Sequence, residues 1–168
     1  MKGHMLNHSI RSLGGQCLFL LLLVVSGTAW AIAGVDFSSY EVEEAQAAID
    51  ERDFEEAITM LEEIVFFEPE DADALNLLGF SLRSMDRNDE AMEMYNEALA
   101  VDPDHQGTLE YQGELFLKMG DQASAEANLQ KLAELCPDGC EALAVLETAI
   151  EKFKDGTELS WVKPASSD

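Results

Sequence analysis

Residues Ala72–His105 read ADALNLLGFSLRSMDRNDEAMEMYNEALAVDPDH, and this stretch of 34 residues sets the frame for the rest of the chain. Pro69, Pro103 and Pro137 are spaced by its length, and so are Ala57, Ala91 and Ala125. Gly79 and Gly113 repeat the interval, as do Leu75 and Leu109. A constant period in this range marks stacked supersecondary units, each of which needs a neighbour to bury its apolar side. The flanking units are then Ser38–Asp71 and Gln106–Gly139.

Each unit holds two amphipathic stretches with a break between them. The spacing predicts first helices over Tyr40–Glu51, Ala72–Ser84 and Thr108–Lys118, and second helices over Phe54–Phe67, Asp89–Val101 and Gln122–Leu135. Ala57, Leu61, Ile64 and Val65 show the helical recurrence of apolar residues. Asp53 with Glu56, Ser38 with Glu41, and Asp138 with Glu141 have the spacing of an N-terminal cap, where a side-chain oxygen accepts from an orphan amide. Each periodic proline stands just past a second helix, which it cannot continue. No run alternates apolar and polar residues as a strand would. After Gly139 a further helix, residues 140–154, places Leu143, Leu146, Ala149 and Ile150 on one side and would cover the last unit. Residues 155–168 are expected to form a mobile tail, in which Leu159, Trp161 and Val162 are an apolar knot able to fold back.

These residues resemble the tetratricopeptide repeat, a helix-turn-helix unit of 34 residues. The middle unit matches through Leu75, Leu78, Gly79, Leu82, Ala91, Tyr95, Ala98 and Pro103. The third keeps Leu109, Gly113, Phe116, Gly120, Ala125, Leu129, Leu132 and Pro137, with Gln112 where leucine is usual. The first keeps Phe54, Ala57, Leu61, Ile64 and Pro69 but opens on Glu41, Glu44 and Ala45 instead of an aromatic, leucine and glycine. The resemblance implies an all-α solenoid of three units plus a capping helix, spanning residues 34–154. It also implies a protein-binding role without catalysis, in which first helices line a concave groove for a partner's peptide or helix. The inward places in this frame are Val42, Gln46 and Ile49; Asn76, Phe80 and Arg83; and Glu110, Glu114 and Leu117. Asn76 and Arg83 would meet a partner's backbone or carboxylate, and Phe80 and Leu117 an apolar side chain. Small exported bacterial proteins of this kind, some with a Cys-Pro-x-Gly-Cys segment before the last helix, look similar.

The chain ends add a compartment and a charge. Lys2 and Arg11 precede an unbroken apolar run, Cys17–Val25, and small residues follow around Trp30 and Ile32. This is the layout of a secretory signal peptide over residues 1–33, cleaved after Ala31 or Ala33. The run is shorter than the roughly 20 residues a spanning helix needs, so no membrane span is expected in the mature chain. The whole chain carries a net charge of −24, and every acid lies at or beyond Asp36, so cleavage makes the remainder more acidic still. That balance argues against nucleic acid and anionic headgroups and favours a basic protein partner, or only a solvated surface.

Cys136 and Cys140 are the cysteines left after cleavage. In a periplasmic protein, close pairing reads first as a disulfide across Pro137-Asp138-Gly139. A thiol-redox pair, with Cys140 activated near a helix start, and a metal site are the other readings. His105 has no nucleophile at a telling spacing and reads as a solvent-facing loop residue. Met85, Met92 and Met94 read as core filler. No Walker loop, EF-hand or dinucleotide fingerprint occurs, so the motifs imply no cofactor and no enzyme activity.

Overall fold

The computed structural model describes residues 37–157, with side chains from residue 42. The expected leader, residues 1–33, lies outside the described residues, as do Leu159, Trp161 and Val162 of the tail. The described residues form seven helices: α1 (Phe37–Asp50), α2 (Phe54–Phe67), α3 (Ala72–Ser84), α4 (Asn88–Val101), α5 (Gln106–Lys118), α6 (Gln122–Leu135) and α7 (Glu141–Lys154). The fold is all-helical and repeats a helical hairpin three times before α7 closes it.

The period is visible in the backbone. Arg52, Asp86 and Gly120 occupy the same step of each hairpin turn, and all three take positive φ, at 63°, 61° and 84°. Asp53, Asp71 and Asp121 cap α2, α3 and α6 by accepting from the amides of Glu56, Ala74 and Ser124 at 3.2, 2.9 and 3.1 Å. Two expected caps are corrected. Ser38 lies inside α1, which starts at Phe37, and Cys140 rather than Asp138 precedes α7, without a side-chain cap bond.

Burial follows the small residues. Ala45, Ala57, Ala91, Ala98 and Ala125 are fully buried, so neighbouring helices approach closely wherever the period puts them. One apolar cluster joins α1 to α4 with Leu115 of α5; the other joins α5, α6 and α7 through Leu109, Leu132, Leu146 and Ile150. Met92 and Met94 pack against the first cluster, whereas Met85, expected inside, is 39 % exposed at the end of α3.

Gly79 marks the tightest crossing. A Cβ there would stand 2.5 Å from Cε1 of the fully buried Tyr95 ring. At Gly113 it would meet the Leu146 methyls at 2.6 Å, and these can turn away. Alanine gains up to about 1 kcal/mol of helix propensity, while overpacking costs about 1–3 kcal/mol. Gly79→Ala is therefore expected to lower the urea midpoint, and Gly113→Ala to lower it less; equal or raised midpoints would contradict this crossing.

Candidate functional site

The inner helices bring the predicted places into three rows, but those places do not form an open trough. Ile49, Asn76, Phe80, Arg83, Glu110 and Leu117 are buried, and Val42, Gln46 and Glu114 are half-buried. The expected outward orientation is corrected for the first six. The reason is steric and electrostatic filling. Phe80 packs edge-on against Phe54, ring centroids 6.2 Å apart, and tilts against Tyr111 at 5.0 Å. Ile49 belongs to the first apolar cluster and Leu117 to the second.

Arg83 is the centre of this face. Its guanidinium carbon lies 5.4 Å from the ring centroids of both Phe80 and Tyr111. Its Nη1 donates to Glu114 Oε2 at 2.6 Å and to the Tyr111 carbonyl at 3.3 Å. Burial alone would pull the guanidinium pKa down, yet the surrounding groups, with Glu114 both charged and hydrogen-bonded, hold it above its ordinary value. Tyr95 lies in the same interior, and burial pushes its phenol well up. Aromatic faces and one carboxylate thus replace water around a charge that only 2 % of its surface exposes. Two further pairs join α3 to α5. His105 Nε2 meets Asp73 Oδ1 at 2.9 Å at one end, and Lys118 donates to Asp86 at 2.6 Å at the other.

His105 is therefore not a solvent-facing loop residue. Its Nδ1 accepts from the Thr108 amide at 3.0 Å, which caps α5 and leaves the ring proton on Nε2 for Asp73. Gln112 also has a defined task where leucine was expected. It donates to Asn96 at 2.9 Å and accepts from Asn128 at 3.0 Å, so α4, α5 and α6 share one buried amide bridge. Tyr111 had no sequence signal beyond its helix, because its role comes from the Arg83 side chain of the preceding hairpin.

Not every buried polar atom is satisfied. Asn76 Oδ1, Arg83 Nε and Tyr95 Oη have no hydrogen-bond partner. Cys136 and Cys140 bring their sulfurs together with Cα atoms 5.8 Å apart, between α6 and α7. Among the described residues, no three His, Cys, Asp or Glu side chains are grouped to hold a metal. No described helix is long and apolar enough to cross a membrane.

Arg83→Met keeps the stem but leaves Glu114 without its buried counter-charge. Breaking such a pair from one side is expected to cost about 3 kcal/mol, whereas removing both charges is often near neutral. Urea unfolding should show a large loss for Arg83→Met and recovery of most of it in Arg83→Met/Glu114→Gln. A double variant as unstable as the single one would show that the pair does not act as a unit.

Comparison with known proteins agrees with this geometry. Profiles described as Tetratricopeptide repeat match residues 42–82, 72–105 and 108–139. No curated protein matches the chain. Among solved structures, the type III secretion translocator chaperone SycD of Yersinia enterocolitica is similar in fold, with 20 % identity and a TM-score of 0.64 over 75 % of this chain and 98 % of SycD. The same chaperone in complex with a peptide of the translocator YopD aligns at 20 % identity and TM-score 0.64, covering 74 % of this chain and 98 % of that one. The Sgt2 repeat domain of Aspergillus fumigatus aligns at 20 % identity and TM-score 0.61, covering 82 % and 91 %. The repeat period, the helical hairpins and the matched profiles converge: this chain belongs to the tetratricopeptide repeat family.

Proposed function

We propose that this protein holds a segment of a partner polypeptide against its inner helices, as an adaptor or assembly factor without catalytic turnover. The observation that carries the reading is the pair of unpartnered polar atoms on α3, Asn76 Oδ1 and Arg83 Nε. A buried group left unpaired costs about 1–3 kcal/mol, which a ligand can recover by pairing with it. Seven residues along a helix span about 10 Å, close to three residues of an extended chain. One peptide backbone can therefore offer an N–H to Asn76 and a C=O to Arg83. Its seat requires the side chains of α1, α3 and α5 to part. SycD, similar in fold, has been solved with a peptide of YopD.

Export belongs to the same reading. The basic, apolar and small-residue succession over residues 1–33 supports a cleaved leader and a periplasmic site of action. In that compartment Cys136 and Cys140 close as a structural disulfide, tying the end of α6 to the start of α7. Such a short loop contributes about 2 kcal/mol in the chain-entropy account. Among the described residues, no group of three His, Cys, Asp or Glu includes the pair.

The direct test uses Asn76→Ala, which removes an unsatisfied atom and should leave the melting temperature nearly unchanged. Quantitative capture from envelope extracts is expected to recover partner at least about fivefold less with this variant, an effect on the order of 1 kcal/mol. Equal recovery by wild type and variant would refute the inner-face reading. N-terminal sequencing of the protein from a bacterial periplasm should begin just after Ala31 or Ala33; an intact leader there would refute export with cleavage.

A further inference from the structure

The outer end of α2 carries a feature that the inner face does not explain. Phe66 and Phe67 are 78 % and 71 % exposed, and their rings meet edge-on with centroids 5.1 Å apart. One period later the same places hold Ala100 and Val101, and two periods later Glu134 and Leu135. The hairpin therefore does not need aromatic rings at this step. Val101, at the Phe67 step of the next unit, is only 39 % exposed.

The electrostatic setting of the pair is mainly acidic; the Arg87 guanidinium, which also feels the Glu62 charge, is already paired with Glu90. Glu62 and Glu63 are exposed on the preceding turn, and Glu68 follows at once. No basic residue lies in the last turn of α2 or α4, so the negative ends of both helix dipoles stand without a cation of their own. From Glu68 an open cleft of about 580 Å³ runs past Glu70, Asp71, Asp73 and Asp102. The histidine of its lining, His105, already has its Nε2 on Asp73.

We infer that Phe66 and Phe67 form a second docking surface, for a cationic amphipathic segment of a partner protein. Its apolar side chains cover the two rings, while its Lys or Arg side chains enter the acidic cleft. Arginine can also stack on an aromatic ring held at this exposure. Nucleic acid and anionic lipid carry the same sign as the cleft and are repelled as occupants. A second copy is disfavoured because it brings the same net charge of −24 to the contact. The rings lie on α2 and the cleft at the α2–α3 turn, and neither Asn76 nor Arg83 lines it.

The test uses the folded full chain and two synthetic helical peptides, one of leucine and lysine and one of leucine and glutamate. Fluorescence anisotropy at physiological salt should detect binding of the lysine peptide only. Phe66→Ser/Phe67→Ser keeps the charge and removes only exposed rings, and it should weaken binding roughly tenfold or more, as loss of aromatic anchors does. Circular dichroism and melting temperature should stay as in wild type, since both side chains stand in solvent. Glu68→Gln/Glu70→Gln should weaken binding and flatten its salt dependence, whereas Asn76→Ala should leave it unchanged. Undiminished binding by the Phe66→Ser/Phe67→Ser variant would reduce the attraction to bulk charge and overturn the proposal. So would no binding by wild type, loss of binding with Asn76→Ala, a dimer abolished by Phe66→Ser/Phe67→Ser in sedimentation, or ring-dependent binding to phosphatidylcholine vesicles.

Discussion

One side of each helical hairpin is apolar, and a unit of this size cannot cover it alone. Everything else in the structure depends on neighbouring hairpins coming close enough to cover one another. Small residues at fixed intervals permit the approach: Gly79 under the Tyr95 ring, Gly113 under Leu146, and alanines with no exposed surface between them. Large residues then fill what the approach leaves. The period is thus a consequence of packing, because each unit must repeat the same small and large places to meet the next.

Close approach alone does not fix how one unit is rotated against its neighbour, since apolar contact has little direction. Between α3 and α5, direction comes from polar groups. Arg83 lies against two touching rings and reaches Glu114, His105 joins Asp73 near the helix starts, and Lys118 joins Asp86 near the helix ends. Gln112 adds an amide bridge to Asn96 and Asn128 on the outer side of α5. The exposed pairs contribute little each, because water and salt screen them. Arg83 differs because its charge is removed from water, so losing one partner is costly while the intact pair holds a single geometry. The same interior leaves Asn76 Oδ1 and Arg83 Nε unpaired, and these atoms link the architecture to the proposed holding of a partner.

The helices were legible because they rest on local and periodic information. α2, α3 and α6 begin and end where apolar spacing and the prolines put them. α1 starts three residues earlier than expected, and the cap position of α7 falls on Cys140 because the turn at residues 136–140 is one residue longer than those at 68–71 and 102–105. The rows of inner residues were legible as positions, but their burial was not. Whether Phe80 faces solvent depends on Phe54 and Tyr111, which come from other helices, and whether Arg83 is available depends on Glu114, 31 residues away. His105 looked like a loop residue because capping by imidazole has no distinctive pattern in sequence. Phe66 and Phe67 differ from Ala100 and Val101 in the sequence, but only the structure shows that both rings stand in solvent.

The central claim is that α3 and α5 are held as one body by the charge buried against their rings. Native-state hydrogen exchange measures this most directly. The amides of α3 and α5 are expected to open together, with one free energy and the slowest exchange in the chain, and to separate into two openings in Arg83→Met. Independent opening of α3 and α5 in the wild-type protein, with no change in Arg83→Met, would contradict the account.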